Sequence, residues 1–218
     1  MATYKAPLRE INFVLNDVLD VGQLAKLPGY TDATADTVMG LVEEAAKLLE
    51  EKLAPLNMGG DAGCKWNNGE VTVPPGFKDA YDAYWQGGWM GLAAKTEYGG
   101  QGLPYTLSKV VEEMVCGANV AFALYPGLTI GCYEAIEACG NEEQHKTYLP
   151  KLATGEWTGT MCLTEPQAGS DVGAGKTKAT PQADGSYLIE GSKIFISSGE
   201  HTIRPNIIHF VLARLQDS

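Results

Sequence analysis

Two short segments hold the residues most able to do chemistry. The first is Met161-Cys162-Leu163-Thr164-Glu165-Pro166-Gln167-Ala168-Gly169-Ser170-Asp171. It sets hydroxyls at Thr164 and Ser170 on either side of a Pro/Gly turn, at the end of an apolar, strand-like run. Exposed backbone N–H groups beside paired hydroxyls suit a ligand that has both a polar ring edge and a phosphate. The second is Lys193-Ile194-Phe195-Ile196-Ser197-Ser198-Gly199, where large apolar side chains lead into another pair of hydroxyls. Taken singly, Thr164 and Ser170 also read as strand-end and turn hydroxyls, and Phe195 as an ordinary core aromatic.

The elements that must position these segments change character along the chain. Arg9 to Leu27 and Ala35 to Leu53 carry apolar residues at helical spacing, closed by Pro28-Gly29 and Pro55. Residues 57–75 read as a glycine-rich loop with a short extended piece at Val71 to Val73, and Phe77 to Trp85 as a helix. Thr106 to Cys116 and Val120 to Cys139 are helical, and Pro126-Gly127 predicts a kink or split in the second. Asn141 with Gln144 has the form of a capping box that starts a helix through Leu152. Beyond Glu156 the period becomes two. Trp157 to Leu163, Lys176 to Thr180, Tyr187 to Ile196 and Ile207 to Leu212 are expected strands, with Asp184-Gly185 as a hairpin turn.

Bulk properties exclude some function classes. The net charge of −11 argues against a general binder of nucleic acid or of anionic membranes. Five cysteines without a C-x-x-C pair, and three histidines away from metal-ligand spacing, give no metal site and point to a reducing compartment. The N-terminal residues from Met1 lack the apolar core of a signal peptide, and no run approaches the apolar length of a membrane span. The expectation is a soluble, cytoplasmic protein. Gly173-Ala174-Gly175-Lys176-Thr177 ends like a phosphate-binding P-loop but has Ser170 where a glycine is needed and leads to a hairpin, so triphosphate binding is rejected. His145, Glu112 and Glu113 read as surface groups on helices, and Lys176 and Lys178 as a solvated strand face.

Glu97-Tyr98-Gly99-Gly100-Gln101-Gly102, the Asn141–Leu152 helix, Met161–Asp171 and Lys193–Gly199 occur in an order that resembles the front half of an acyl-CoA dehydrogenase. The opening from Tyr4 to Asp20 is similar to an N-terminal extension in the branch that includes the 3-methylmercaptopropionyl-CoA dehydrogenases. The resemblance implies an α+β fold: an N-terminal all-α helical domain followed by part of a middle antiparallel β domain, with the C-terminal helical bundle absent. It implies an extension over residues 1–30, a helical domain over 31–156 and a partial middle β-barrel domain over 157–218. FAD is the implied cofactor. Met161, Cys162, Leu163, Thr164, Ser170, Phe195, Ile196 and Ser197 would bind it, and Ser170 would also meet the acyl-CoA substrate. Phe195 stands where the family often has tryptophan, Met161 where it often has an aromatic, and Ser197 where threonine is common.

The implied reaction is α,β-dehydrogenation of an acyl-CoA thioester with hydride transfer to FAD. The resemblance puts the catalytic base in a C-terminal helical domain beyond Ser218, so none of these residues is expected to be catalytic and the chain is expected to be a fragment. An electron-transfer partner and a homo-oligomer are implied for the whole protein. By position, Tyr125-Pro126-Gly127-Leu128 would line the acyl pocket. A second reading is a short, non-catalytic module that binds acyl thioesters or partner proteins.

Overall fold

A computed structural model describes residues 4–216. Met1 to Thr3, part of the N-terminal reading above, and Asp217-Ser218, at the expected chain end, lie outside the described residues. The chain begins with α1 (Leu8–Asn12), which continues as a π-helical turn over Phe13–Val18. Asp20 adopts a left-handed conformation (φ 49°), so the expected Arg9–Leu27 helix breaks there before a 3₁₀ turn at Val21–Lys26.

Helix α2 (Ala35–Leu48) starts at Thr34, whose side chain accepts the N–H of Thr37, and buries Val38, Val42, Ala45 and Ala46. The sequence placed its end at Pro55. Instead the backbone stays helical through Leu49–Leu53 and Ala54–Leu56 into α3 (Asn57–Asp61). Pro55 sits in the first turn of the 3₁₀ segment, where a missing N–H removes no bond the helix needs. The expected loop over 57–75 therefore contains a helix. It also contains a hairpin of β1 (Lys65–Asn67) and β2 (Glu70–Thr72), turning on Asn68 and Gly69 at positive φ.

Helix α4 (Phe77–Gln86) and the long α5 (Tyr105–Cys139) form the centre of the helical layer. Phe77, Tyr81, Tyr84, Phe122 and Tyr125 meet edge-on or tilted across the two, with centroids about 6 Å apart. The break in α5 falls at Asn119 (φ −162°, ψ 92°), between the expected Thr106–Cys116 and Val120–Cys139 helices, and the further split expected at Pro126 does not occur: the backbone there stays helical. Asn119 Oδ1 accepts the N–H of Phe122, as an N-cap does, while its Nδ2 donates to the carbonyl of Leu53. An 18-residue window of α5 is apolar enough to span a membrane by composition, contrary to the expectation from the sequence. Half of that window is buried within the fold, however, and α5 is the core helix against which the other elements pack.

Helix α6 (Glu142–Thr154) carries the full capping box between Asn141 and Gln144 and ends on Gly155 in the left-handed region. His145 is half-buried, and its Nε2 lies 3.0 Å from the carbonyl of Ile136, joining α6 to the end of α5.

The β region has β3 (Thr158–Cys162), β4 (Lys178–Pro181), β5 (Tyr187–Glu190), β6 (Ile207–Val211) and β7 (Arg214–Leu215). The antiparallel expectation holds for the β4–β5 hairpin, but β3–β6 and β4–β7 pair in parallel. A helical part followed by a small β region is thus the observed order. A second apolar cluster, with Cys132, Tyr133, Ile136, Leu149 and Leu152 against Ile208 and Phe210, fixes the β3–β6 pair onto α5 and α6.

Candidate functional site

Strand β3 carries the first motif, and its position is set by α5. The N–H of Gly159 donates to Thr129 Oγ1 at 3.1 Å, and that hydroxyl donates to the carbonyl of Tyr125 at 2.8 Å. A Cβ at Gly159 would lie 2.4 Å from Cys132 Cβ, so only glycine lets the strand come this close to the helix. Alternation along β3 then turns Thr158, Thr160 and Cys162 inward, all buried, and leaves Met161 as its one exposed side chain. The two inward threonines keep their hydroxyls paired. Thr158 Oγ1 lies 3.1 Å from His201 Nε2, and Thr160 Oγ1 donates to the Ser197 carbonyl at 2.6 Å.

The second motif does not continue the hairpin. The sequence predicted a strand from Tyr187 to Ile196, but β5 stops at Glu190 and residues 191–196 join no ladder. This stretch is instead captured by the first motif. The N–H of Ile194 donates to the Thr164 carbonyl at 3.0 Å, and Lys193 Nζ donates to the Leu163 carbonyl and to Glu165, each at 2.9 Å. With Thr160 opposite Ser197 and Thr164 opposite Ile194, the two segments lie side by side and run in opposite directions. The turn that follows is strained: Phe195 (φ 57°) and Ser198 (φ 55°) both occupy the left-handed region. Phe195 is also 87% exposed. A bulky aromatic held in an unfavourable backbone conformation costs stability, and pointed into solvent it regains none by burial, which makes its ring available for contact with something else.

Of the expected site residues, Met161, Leu163, Thr164, Phe195, Ile196 and Ser197 are therefore brought together. Cys162 lies on the same strand, but its thiol is buried and pushed above its ordinary pKa by that burial, so it offers the site only backbone. Ser170 is exposed on the loop beyond the Glu165–Ala168 bridge, and among the described residues no hydrogen bond ties it to either segment.

Two residues that organise the site were not singled out from sequence. Glu165 is buried, and its carboxylate accepts the N–H groups of Lys176 (2.7 Å) and Thr177 (3.0 Å), the Lys193 ammonium and the Gln167 amide. The backbone bond from Lys176 leads in holding its carboxyl well below the usual range, and the loop over 165–177 folds around this one charge. His201 is likewise buried. Its Nδ1 accepts the N–H of Ile203, so the ring is neutral with the proton on Nε2 facing Thr158; burial lowers its pKa to about 4. A glutamate just after a strand and a histidine in a loop carry no local signal of such roles, because every partner but Gln167 and Ile203 is distant in sequence.

The surface so built has a definite chemistry. Met161, Phe195, Val211 and Leu212 expose apolar area around it. The N–H groups of Leu163 and Thr164, and the hydroxyls of Thr164 and Ser197, find no hydrogen-bond partner among the described residues. An apolar platform edged by free donors and hydroxyls matches a flat heteroaromatic ring with a polar rim, and the isoalloxazine of a flavin is such a ring.

Comparison with known proteins agrees in kind. The family model described as acyl-CoA dehydrogenase, N-terminal domain, matches residues 36–156, and that of the middle domain matches residues 160–218. The chain is 42% identical over 217 residues to a 3-methylmercaptopropionyl-CoA dehydrogenase of Ruegeria pomeroyi, an alignment covering 99% of this chain and 37% of that protein. The chain thus spans little more than a third of that relative's length. Among solved structures, an acyl-CoA dehydrogenase complexed with FAD from Bacillus anthracis superposes with a TM-score of 0.68 at 26% identity, covering 85% of this chain and 30% of that one. A structure described as the electron transferring flavoprotein of Acidaminococcus fermentans matches with a TM-score of 0.63 at 28% identity, over 74% of this chain and 40% of that one.

Proposed function

The chain belongs to the acyl-CoA dehydrogenase family, and from that membership we propose that it serves the FAD-dependent α,β-dehydrogenation of an acyl-CoA thioester. The observation that carries this reading is the docking of residues 160–165 against 193–197 through the Thr160–Ser197 and Ile194–Thr164 hydrogen bonds. Bound FAD would supply the acceptor for the hydride that leaves the β-carbon.

The chain's own part is to bind and orient. Met161 and Phe195 offer apolar contact to the ring faces, and the free N–H groups of Leu163 and Thr164 with the Thr164 hydroxyl meet its polar rim. The Ser197 hydroxyl offers a donor on the opposite segment, where charge arriving during reduction is stabilised. The Thr160–Ser197 bond fixes the spacing between these two sets of groups, which is what orientation requires. Ser170, exposed on its loop, is the hydroxyl available to the phosphate and thioester side of the ligands. Removal of the α-proton is assigned to no residue of this chain.

In this reading residues 1–30 form an extension, 31–156 the helical part and 157–218 the β part. The similarity to the Ruegeria pomeroyi protein favours 3-methylmercaptopropionyl-CoA or another short thioester as substrate. The similarity to the structure described as an electron transferring flavoprotein favours such a protein as electron acceptor.

The test uses the product of the whole open reading frame containing this sequence. It is expected to purify yellow with bound FAD and to bleach anaerobically when a short acyl-CoA is added. A colourless product that takes up no added FAD would overturn the proposal.

A further inference from the structure

The peptide that joins Leu163 to Thr164 has a charged group on one side and a free donor on the other. Its carbonyl, from Leu163, accepts the Lys193 ammonium at 2.9 Å. Its N–H, from Thr164, is one of the donors that find no partner among the described residues. The next carbonyl, that of Thr164, accepts the Ile194 N–H at 3.0 Å. The backbone of the first motif is thus fixed by two successive residues of the second, and one of them brings a full positive charge.

Lys193 is not placed as a surface lysine. Its side chain is 12% exposed, and that of Glu165, its ion-pair partner at 2.9 Å, is 3% exposed. Burying such a pair is weak evidence of stability, because desolvation offsets the attraction. Nor does Glu165 depend on Lys193 for satisfaction. It also accepts the Lys176 and Thr177 N–H groups and the Gln167 amide. Those three bonds disperse its negative charge into the loop over 165–177, while the ammonium bonds the first motif directly.

We propose that Lys193 is a positioning residue that tunes the flavin: by bonding the Leu163 carbonyl it polarises the peptide shared with Thr164, and so makes the Thr164 N–H a stronger donor to the ring's polar rim. The proposal rests on the dehydrogenase reading above and adds a residue that sets how readily the ring is reduced. A peptide is delocalised from oxygen to nitrogen, so a bond at its carbonyl is felt at its N–H. Linked hydrogen bonds in a low-dielectric setting strengthen one another, and a charged member is roughly twice as strong as a neutral one. Electron density arriving at the rim on reduction strengthens the Thr164 bond further. The positive charge acts in the same direction through space, and the Glu165 carboxylate opposes it. Lys193 therefore raises the reduction potential without touching ring or substrate.

The test uses the FAD-loaded product of the whole open reading frame, with the midpoint potential read by reductive titration against a reference dye. Lys193→Gln keeps a donor and loses the charge. It is expected to lower the preference for reduced over oxidised flavin roughly three- to tenfold, the difference between a charged and a neutral hydrogen bond. A tenfold change is a fall of about 30 mV for a two-electron couple. Lys193→Arg keeps the charge and is expected to restore most of the loss. Glu165→Gln removes the opposing charge and is expected to shift the potential upward. A purely structural role would move the Lys193→Gln and Glu165→Gln potentials in the same direction, along with the melting temperature. A wild-type potential in Lys193→Gln, or a fall in Glu165→Gln matching that in Lys193→Gln, overturns the proposal. Should Lys193→Gln fail to fold, the crystal structure of the wild-type FAD complex decides. It is expected to show the Thr164 N–H bonded to the ring with Lys193 still on the Leu163 carbonyl, and a Thr164 N–H unbonded to the ring overturns the proposal. FAD uptake with an unshifted Lys193→Gln potential sinks this proposal alone; a wild type that takes up no FAD sinks the dehydrogenase reading and this proposal with it.

Discussion

Thr160 donates its hydroxyl to the carbonyl of Ser197 across 2.6 Å, joining positions 37 residues apart in the chain. Thr160 is completely buried, while the bond as a whole is part-buried. Thr160→Val keeps the shape and strands the carbonyl, at a cost of about 1–3 kcal/mol. The expected result is a lower melting temperature and FAD binding weakened roughly tenfold, read by flavin fluorescence titration. Unchanged values for both would show that the bond does not hold the two segments in place.

The hydroxyls that face outward make a separate prediction. Thr164→Ala with Ser197→Ala removes two side-chain groups that pair with nothing else among the described residues, so the fold should keep its melting temperature. Each lost hydrogen bond to the cofactor is worth about 0.5–1.5 kcal/mol, so the double variant is expected to bind FAD roughly tenfold more weakly or worse. Its flavin reduction potential should also shift. Wild-type affinity and potential in the double variant would remove both residues from the site.

His201 should make the fold acid-sensitive. Its folded pKa lies near 4 against an ordinary 6.5, because burial disfavours the charged ring. As pH falls the unfolded chain takes up the proton first. The contribution is therefore complete above about pH 6.5 and is lost progressively as pH drops towards 4, on the order of 3 kcal/mol in all. Glu165, held low by its hydrogen bonds, adds a loss in the same direction only below the ordinary carboxylate range. Thermal melts should fall steadily from pH 7 to 4.5, and His201→Gln should flatten that slope. A wild-type slope already flat in this window would show that His201 is not buried neutral.

The pattern of what could be read from sequence follows the range of the interactions. The Asn141–Gln144 capping box and the Asp184-Gly185 hairpin were legible because all their partners lie within a few residues. The break in α5 was legible in place, as the gap between the expected Thr106–Cys116 and Val120–Cys139 helices, but not in cause: Asn119 holds it because its amide reaches the Leu53 carbonyl, 66 residues away, while the backbone stays helical through Pro126. Residues 191–196 alternate like a strand, but Lys193 and Ile194 are bound by Leu163, Thr164 and Glu165 across the site. The site residues were legible as motifs that resemble a family. Their mutual placement, and the parts played by Glu165 and His201, depend on long-range contacts that carry no local pattern.

Gly159 tests how β3 is placed. In Gly159→Ala the new Cβ would lie 2.4 Å from Cys132 Cβ and 2.8 Å from its Sγ, so strand and helix must separate. Overpacking of this kind costs about 1–3 kcal/mol, or a melting temperature lower by roughly 2–12 °C for a chain of this size. Gly169→Ala, where a Cβ meets nothing within 4 Å, is the control and should be neutral. Equal melting temperatures for the two variants would mean that the close approach of β3 to α5 is not required.

The central claim is that the two motif segments together hold the isoalloxazine ring, and a crystal structure of the FAD complex of the whole open reading frame's product tests it most directly. The account predicts the ring packed against Met161 and Phe195, with its polar rim within hydrogen-bonding distance, about 2.7–3.2 Å, of the Leu163 or Thr164 N–H and a hydroxyl of Thr164 or Ser197. A flavin bound elsewhere, with Phe195 still pointing into solvent, would contradict it.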